Sequence, residues 1–356
     1  MRKVFGAFLL IIILAALGPW AYAGSSVTVK NRASLSGEYD DNVFKTDRDV
    51  EGDFLGRLFF DFLLYVYPTK NNRILFDYQG GIKKYLEIAD QDTFVNRVQL
   101  GYTNTSVKQA FFGTDLSFKM RNISNGEEDY DKFIGEVFAG LQFGPGITGQ
   151  VRSGLTRFNF HPYNYYDYWL QRHGVIIEKA FSPKLVCGTQ YFFQEKHFPF
   201  DAYERIGTET GEIFLRVKDE QRLDTLHEPA FFIQYSRWLL VDFSYLMQIN
   251  NSNSYGDNYY NHRFTLALSK ALFTNTHIHV LGITQFRDSF EKVLIPHSYS
   301  IEEDDENYNS VRVKVTQKLK DYVSVDVGYS RFWTTYSNQE LNFVKNLYSL
   351  GVSFSF

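Results

Sequence analysis

Val344-Lys-Asn-Leu-Tyr-Ser-Leu-Gly-Val-Ser-Phe-Ser-Phe356 ends the sequence, and its two faces are unlike. Val344, Asn346, Tyr348, Leu350, Val352, Phe354 and Phe356 fall on one side of an extended chain. Lys345, Leu347, Ser349, Gly351, Ser353 and Ser355 fall on the other. Successive side chains of a strand point to opposite faces, so this alternation sorts large residues from small polar ones. One face needs an apolar medium and the other needs water.

The same contrast recurs upstream. Val241, Phe243, Tyr245, Met247 and Ile249 alternate with Asp242, Ser244, Leu246, Gln248 and Asn250. Phe112, Thr114, Leu116, Phe118 and Met120 alternate with Gly113, Asp115, Ser117, Lys119 and Arg121. In 94–103, Phe94, Asn96, Val98, Leu100 and Tyr102 oppose Val95, Arg97, Gln99, Gly101 and Thr103. Shorter runs at 311–316 and 322–328 set Val against Arg312, Lys314 and Asp326. Charges at strand centres demand water on their face, and the apolar residues opposite demand lipid or a core. A closed barrel in a membrane with a wet interior meets both demands.

Composition agrees. The chain has 356 residues, 18% of them aromatic, yet its mean hydropathy is only −0.29. So many aromatics exclude intrinsic disorder. One cysteine excludes an internal disulfide framework. A helical membrane bundle needs several apolar runs of about 20 residues, and one such run exists, at the N-terminus. Arg2 and Lys3 precede an apolar stretch from Phe5 to Leu17, and Ala21-Tyr-Ala23 supplies a small-x-small cleavage pattern. Residues 1–23 are therefore expected to be a cleaved export signal, and 24–356 a single barrel domain. The formal charge is −4, which gives no support for nucleic-acid binding.

Short turns alternate with long polar connections. The short ones include Pro68–Asn72, Gly144-Pro-Gly146 and Ser182-Pro-Lys184; the long ones include 40–52, 122–131, 197–221, 288–308 and 336–343. Bacterial outer-membrane barrels place short turns in the periplasm and long loops outside. Counting between the connections gives sixteen antiparallel up-and-down strands, near 27–39, 53–67, 72–85, 92–104, 108–121, 132–143, 147–160, 167–180, 184–196, 222–235, 238–250, 259–272, 274–287, 309–319, 322–335 and 344–356. Residues 206–218 read either as strand or as loop, which leaves fourteen or eighteen as alternatives.

A Lys or Arg facing lipid near the midplane costs about 2–4 kcal/mol. Arg32, Arg57, Asp61, Arg73, Asp77, Arg97, Asp115, Lys119, Glu136, Arg152, Asp242, Arg263, Arg312, Lys314 and Asp326 are therefore expected to line the lumen. Their basic surplus reads either as ion pairs that stiffen the wall or as selection for anionic or sugar-like solutes. Tyr163–Trp169 and Tyr65-Val-Tyr67 read as aromatic girdles at the membrane interfaces, and 163–169 also as an aromatic slide for sugars. The acidic runs Glu127–Asp131 and Glu302–Glu306 read as solvated loops or as divalent-cation bridges to lipopolysaccharide.

The terminal stretch from Tyr348, through Leu350, Val352 and Phe354, to Phe356 resembles the C-terminal strand of Gram-negative outer-membrane proteins. The resemblance implies recognition by the barrel-assembly machinery and residence in outer-membrane lipid. Tyr39-Asp-Asp-Asn-Val-Phe44, Asn250–Ser254 and Tyr259–Arg263 look like segments of the barrels grouped as beta-barrel porin type 2. Similar barrels occur beside exopolysaccharide-export genes and in surface-lipoprotein assembly, which implies envelope or polysaccharide-export partners. The lipoprotein-assembly barrels carry a preceding helical-repeat domain, for which this sequence shows no pattern.

Enzymatic chemistry finds little footing. Barrel phospholipases use a His-x-Ser pair on one strand face, whereas here His297 directly precedes Ser298. His277 and His279 share a face, but two imidazoles without further ligands make a weak metal site. Cys187 reads as a small lipid-facing hydrophobe. No catalytic residue, metal or cofactor is expected. The function expected is a porin-like channel for small hydrophilic solutes, linked through the resemblance to polysaccharide export; the alternative is a non-conducting structural or interaction barrel.

Overall fold

The computed structural model describes residues 26–126, 128–161, 166–207, 213–273, 275–290, 308–334 and 342–356. The expected export signal, the acidic run 302–306, His297, Ser298, Glu127 and 163–165 lie outside the described residues. Sixteen strands run in chain order: β1 (Ser26–Asp40), β2 (Asp53–Thr69), β3 (Asn72–Tyr85), β4 (Thr93–Asn104), β5 (Ala110–Ile123), β6 (Asp129–Gly144), β7 (Ile147–His161), β8 (Tyr168–Ser182), β9 (Leu185–Gly207), β10 (Ile213–Ser236), β11 (Leu240–Ser252), β12 (Tyr259–Phe273), β13 (Thr276–Ser289), β14 (Asn309–Lys320), β15 (Val323–Trp333) and β16 (Val344–Ser355). Each pairs antiparallel with its sequence neighbours, and β1 pairs with β16 to close the barrel.

The seam is continuous. Arg32 faces Ser355 at one end and Asp40 faces Leu347 at the other. Past Ser355, Phe356 and Asn31 exchange both backbone hydrogen bonds, at 3.0 and 3.1 Å. The terminal residue is thus stitched into the wall, and neither β1 nor β16 is left as an open edge.

Exposure sorts the faces. Leu35 is 61% exposed, Val137 58%, Leu155 52% and Leu350 61%, and each has the parity expected for the outer wall. An apolar belt of this extent cannot be left in water. The opposite parity carries the charges. A single cavity collects residues of β2, β3, β4, β5, β15 and β16, which only the inside of a closed barrel brings around one space.

The turns fix the ends. At Gly144-Pro-Gly146, Gly146 has φ +70°, and a Cβ there would lie 2.5 Å from the Ala180 carbonyl oxygen. Pro followed by a left-handed Gly suits a type II turn, and it reverses the chain between β6 and β7. The start of β1 and the end of β16 lie at the same end as this short turn, since an even number of strands returns the chain to its starting side.

Two readings need correction. The connection expected at 197–221 is largely strand. β9 and β10 continue past their neighbours and pair with each other from Leu185 out to Gly207, opposite Ile213, with irregular register around Gln221. β10 meets β11 only from Asp224 inward, so a two-stranded hairpin projects beyond the wall. The expected girdles also divide by parity. Tyr65 and Tyr67 share the inner face with Arg73, whose guanidinium sits 6.0 Å from the Tyr65 ring centroid. Tyr168 points inward and Trp169 outward.

The two sides of β5 make the wall testable. Leu116→Arg puts a charge on the outer face and should destabilise the barrel by about 2–4 kcal/mol near the midplane. Ser117→Arg, one residue on, faces the interior and should cost much less. Heat-modifiable gel mobility after refolding into lipid measures both, and equal losses would contradict the facing described here.

Candidate functional site: a charged barrel interior

The interior is a set of linked ionic clusters. Asp326 on β15 is the hub of one. Lys314 approaches it at 3.1 Å and Arg32 at 3.4 Å, while Ser353 and Thr316 donate hydroxyl hydrogen bonds at 2.8 and 2.6 Å. Four strands, β1, β14, β15 and β16, thereby meet on one carboxylate, next to the seam.

A second chain crosses the far wall. Arg152 reaches Glu136 at 3.1 Å, and Arg172 spans β7 to the same carboxylate at 3.5 Å. Arg172 also lies 3.8 Å from Glu228 on β10, and its guanidinium stacks 3.5 Å from the Phe192 ring centroid. Glu228 accepts further from Gln194 and from Gln248, the latter at 2.7 Å, and Asn261 donates to Gln248 at 2.9 Å. The planar guanidinium, with its fork of donors and its stacking face, can serve both contacts at once.

A third group guards the loop end. Arg57 pairs with Glu38 at 2.9 Å. Asp40 has no exposed side-chain surface and takes Lys345 at 2.6 Å and the Tyr85 hydroxyl at 2.9 Å. Losing one partner of such a buried pair costs about 3–5 kcal/mol, because the remaining charge is stranded.

The remaining expected lumen residues have these neighbours in the wall. Arg97 donates to Gln99 at 2.9 Å and Arg73 to Thr103 at 3.4 Å. Asp242 accepts from Gln234 at 3.2 Å. The Arg312 guanidinium lies 5.0 Å from the Phe332 ring centroid. Asp61 is the register partner of Arg32, Asp77 of Gln99, Asp115 of Glu136 and Arg263 of Leu246. Lys119 sits 5.7 Å from the Tyr130 ring centroid.

Several members went unremarked in sequence. Glu38 carries the inward parity of Arg32 on β1, so extending the alternation along that strand would have found it; Arg172 on β8 and Glu228 on β10 lie on strands whose alternation was not traced, and Lys345 was placed on the polar face of the last strand without a partner being named. Of the aromatic cluster of Tyr130, Phe158, Phe160, Tyr168 and Phe198, only Tyr168 was singled out in sequence; the cluster is buried inside the barrel wall, and the Phe158 and Tyr168 rings stack at 5.0 Å.

The described part of the acidic run, Glu128 to Asp131, leads into β6 and meets side chains of β5 and β7. Glu128 pairs with Arg121 at 2.8 Å, Asp129 accepts from Asn122 at 2.9 Å, and Asp131 lies 3.4 Å from His161. His279 shares a hydrogen bond with Ser269 at 2.8 Å. Among the described residues, no three His, Cys, Asp or Glu side chains converge as metal ligands.

On the projecting hairpin, Arg222 bridges Asp224 at 2.6 Å and Asp257 at 2.9 Å, with its guanidinium 4.3 Å from the Phe198 ring centroid. Asp257 belongs to the connection between β11 and β12, so this cluster ties two outer connections together. Burial pushes the Asp257 carboxyl up to about 6; Arg222 and Arg287 pull it down, and Asp224 pushes it further up.

Solved outer-membrane barrels share this fold. Pseudomonas putida OprB matches at 9% identity over 95% of this chain and 96% of its own, with a TM-score of 0.50. Acinetobacter baumannii OccAB3 matches at 9% identity over 92% and 99%, with a TM-score of 0.45. A bacterial polysaccharide outer membrane secretin matches at 11% identity over 92% and 98%, with a TM-score of 0.43. No family model matches the sequence, and no curated protein sequence matches it. At 9% identity the OprB likeness shows the barrel fold alone.

The Asp257 carboxyl gives a pH test of the outer cluster. Its folded pKa lies above the ordinary value of 3.8, so the folded state holds the proton more tightly. Its contribution to stability is fully present below pH 3.8 and is lost as the pH rises through about 6. Hydrogen exchange in 253–258, corrected for intrinsic rates, should therefore quicken between pH 4 and pH 7. Asp257→Asn should flatten that rise, and an unchanged profile would remove Asp257 as its source.

Proposed function

We propose that the protein is an outer-membrane channel through which small hydrophilic solutes pass passively. One observation carries the reading: a closed sixteen-stranded wall with an apolar outer face and a densely charged inner one. Barrels of about this size leave an aqueous channel. The sides of the interior that pair their charges stiffen the wall, and the basic surplus among the expected lumen residues favours anions. The OprB likeness supports the architecture alone. Membership of the beta-barrel porin type 2 group, a link to polysaccharide export, the export signal in 1–23 and contact with lipopolysaccharide belong to this same proposal.

Purified protein in a planar bilayer should show discrete conductance steps with a modest preference for anions, because low-dielectric walls focus the field of interior charges. Arg97→Glu with Arg312→Glu should shift the reversal potential toward cations. A silent bilayer with correctly folded protein would overturn the channel and leave a structural or interaction barrel. Conductance without any response to the charge swap would overturn the selectivity.

Insertion is part of the proposal, through recognition of Tyr348, Leu350, Val352, Phe354 and Phe356 by the barrel-assembly machinery. The Phe356 backbone bonds also complete the seam. Phe356→Asp keeps those backbone groups but places a charge on the lipid-facing parity. It should reduce the heat-modifiable form in cells while purified protein still refolds in detergent. Normal assembly in cells would contradict the signal.

A further inference from the structure

The outer face of the wall is not uniform. On β2 the outward residues Leu58, Phe60 and Phe62 are apolar, and on β14 so are Val311, Val313 and Val315. From β7 to β10 the outward residues change character. Leu155 lies on the outer wall, and Gln171 is its register partner, followed by Glu195 and Thr225 on the next two strands. One row nearer the short turns, Ser153, His173, Phe193 and His227 are partners in the same order. Register partners share a face of the sheet, so both rows point away from the lumen. Gln194, the neighbour of Glu195 in sequence, bonds to Glu228 on the inner side, as the alternation requires.

The ends of β8 set the depth of these residues. Trp169, 52% exposed, is the first outward residue of the strand. Lys179 lies near its other end, where its Nζ donates to the Pro145 carbonyl of the short β6–β7 turn at 2.9 Å. Tryptophan and lysine suit the two polar boundaries of a bilayer. The span between them matches the apolar band of about 25 Å on an outer-membrane barrel. Within that span β8 offers lipid only Val175 and Ile177. Gln171 and His173 are exposed polar residues there, and His173 lies near the middle.

Lipid cannot answer such groups, because the hydrocarbon region holds neither water nor hydrogen-bonding atoms. The strands answer part of the demand themselves. The Ser153 hydroxyl meets His173 Nδ1 at 3.0 Å, and the Tyr191 hydroxyl meets His227 Nδ1 at 2.7 Å. Both rings are thereby fixed through Nδ1, and Nε2 is what each has to offer beyond its own wall. The Gln171 amide can donate and accept, whereas an ionised Glu195 only accepts. Polar and ionisable side chains held at membrane depth mark places where protein, and not lipid, meets the wall.

We propose that the outward face of β7 to β10 is an interface with a second copy of this chain in the plane of the membrane. The patch complements itself: imidazole Nε2 and the Gln171 amide donate, and Glu195 and the Gln171 carbonyl accept. Copies inserted in the same sense meet at equal depth, and Gln171, Glu195 and the two imidazoles lie within two residues of one another along adjacent strands. A two-fold axis therefore sets Glu195 of one copy against donors of the other, and the same contact repeats in reverse. The apolar faces of β2 and β14 stay in lipid. The interface needs an inserted barrel but not an open one, so it goes beyond the channel reading and stands apart from it.

Photo-cross-linking in intact outer membranes tests the face. A photoreactive amino acid takes the place of Val175, inside the patch, or of Val313, on the apolar β14, in cells carrying two differently tagged copies of the chain. The expected result is an adduct of twice the chain mass bearing both tags for Val175, and none for Val313. Gln171→Leu with His173→Leu and Glu195→Leu gives the patch the apolar character of β2. That variant should fold, as heat-modifiable mobility reports, while the two-tag adduct falls roughly tenfold or more, the scale of a lost hydrogen bond to a charged group. Glu195→Leu alone replaces the triple variant if that one fails to fold. Only single-chain product at Val175 would leave this face to lipid, and an adduct with a different protein would give it another occupant. Either result overturns the proposal, as does an undiminished two-tag adduct in the folded leucine variant. A silent bilayer would retract the channel and leave the interface standing; loss of the interface would leave the channel untouched.

Discussion

A wall in lipid cannot leave backbone polar groups unpaired, and that constraint governs the rest of the molecule. In the hydrocarbon region no water is present to take an N–H or a carbonyl, so a sheet survives only if its first strand meets its last. The seam between β1 and β16 supplies that closure, down to the paired backbones of Asn31 and Phe356. Once the sheet is closed, each strand has one face in lipid and one inside, and the period of two becomes compulsory. A slip of one residue would reverse a whole strand. Charged and apolar residues then act as opposed restraints on register, because each is costly on the wrong side.

The inside imposes a different condition. Lining charges can stay ionised there only with water, partners or both. Along the wall from β6 to β10, Glu136, Arg152, Arg172 and Glu228 partner one another, and amide side chains from β9, β11 and β12 extend the row. Single ion pairs in wet surroundings are each worth only about 0–1 kcal/mol. Their importance here is geometric: Arg172 reaches over β7, so it relates strands that share no backbone hydrogen bonds.

How much of this was legible depended on where each segment meets the membrane. In β4, β5 and β11 the alternation was sharp, because one face meets lipid and the other the polar interior, and the strands begin and end within two or three residues of expectation. Outside the membrane both faces meet water, so the contrast vanishes. The outer parts of β9 and β10 carry Glu204, Arg205, Lys218 and Glu220 and read as loop, although their backbones pair. The misread aromatics have a similar cause: a cluster such as Tyr65-Val-Tyr67 suits an interface by composition, but parity decides which ring faces in. Individual ionic partners, such as Arg32 with Asp326, were not legible, since they join strands almost three hundred residues apart in sequence. The charged face was visible; the pairing within it requires the barrel to be closed first.

That distinction bears on where function resides. A sequence that specifies one fold agrees with itself at most levels, and the places where local chemistry opposes the fold are where selection has kept something else. In most of the interior, opposition is answered nearby: Asp115 faces Glu136, but Arg152 lies against Glu136; Asp40 faces Asp53, but Lys345 and Tyr85 hold Asp40, and backbone amides of Glu87 and Ile88 hold Asp53. The arc from β2 to β6 is arranged differently. There, basic residues stand opposite one another on three ladders, at Arg57 and Lys83, Arg97 and Lys119, and Lys119 and Lys132. Glu38 on β1 answers the first of these pairs, reaching Arg57 at 2.9 Å. There too the reply to like charges set across a ladder comes from the next strand of the wall and not from the ladder itself.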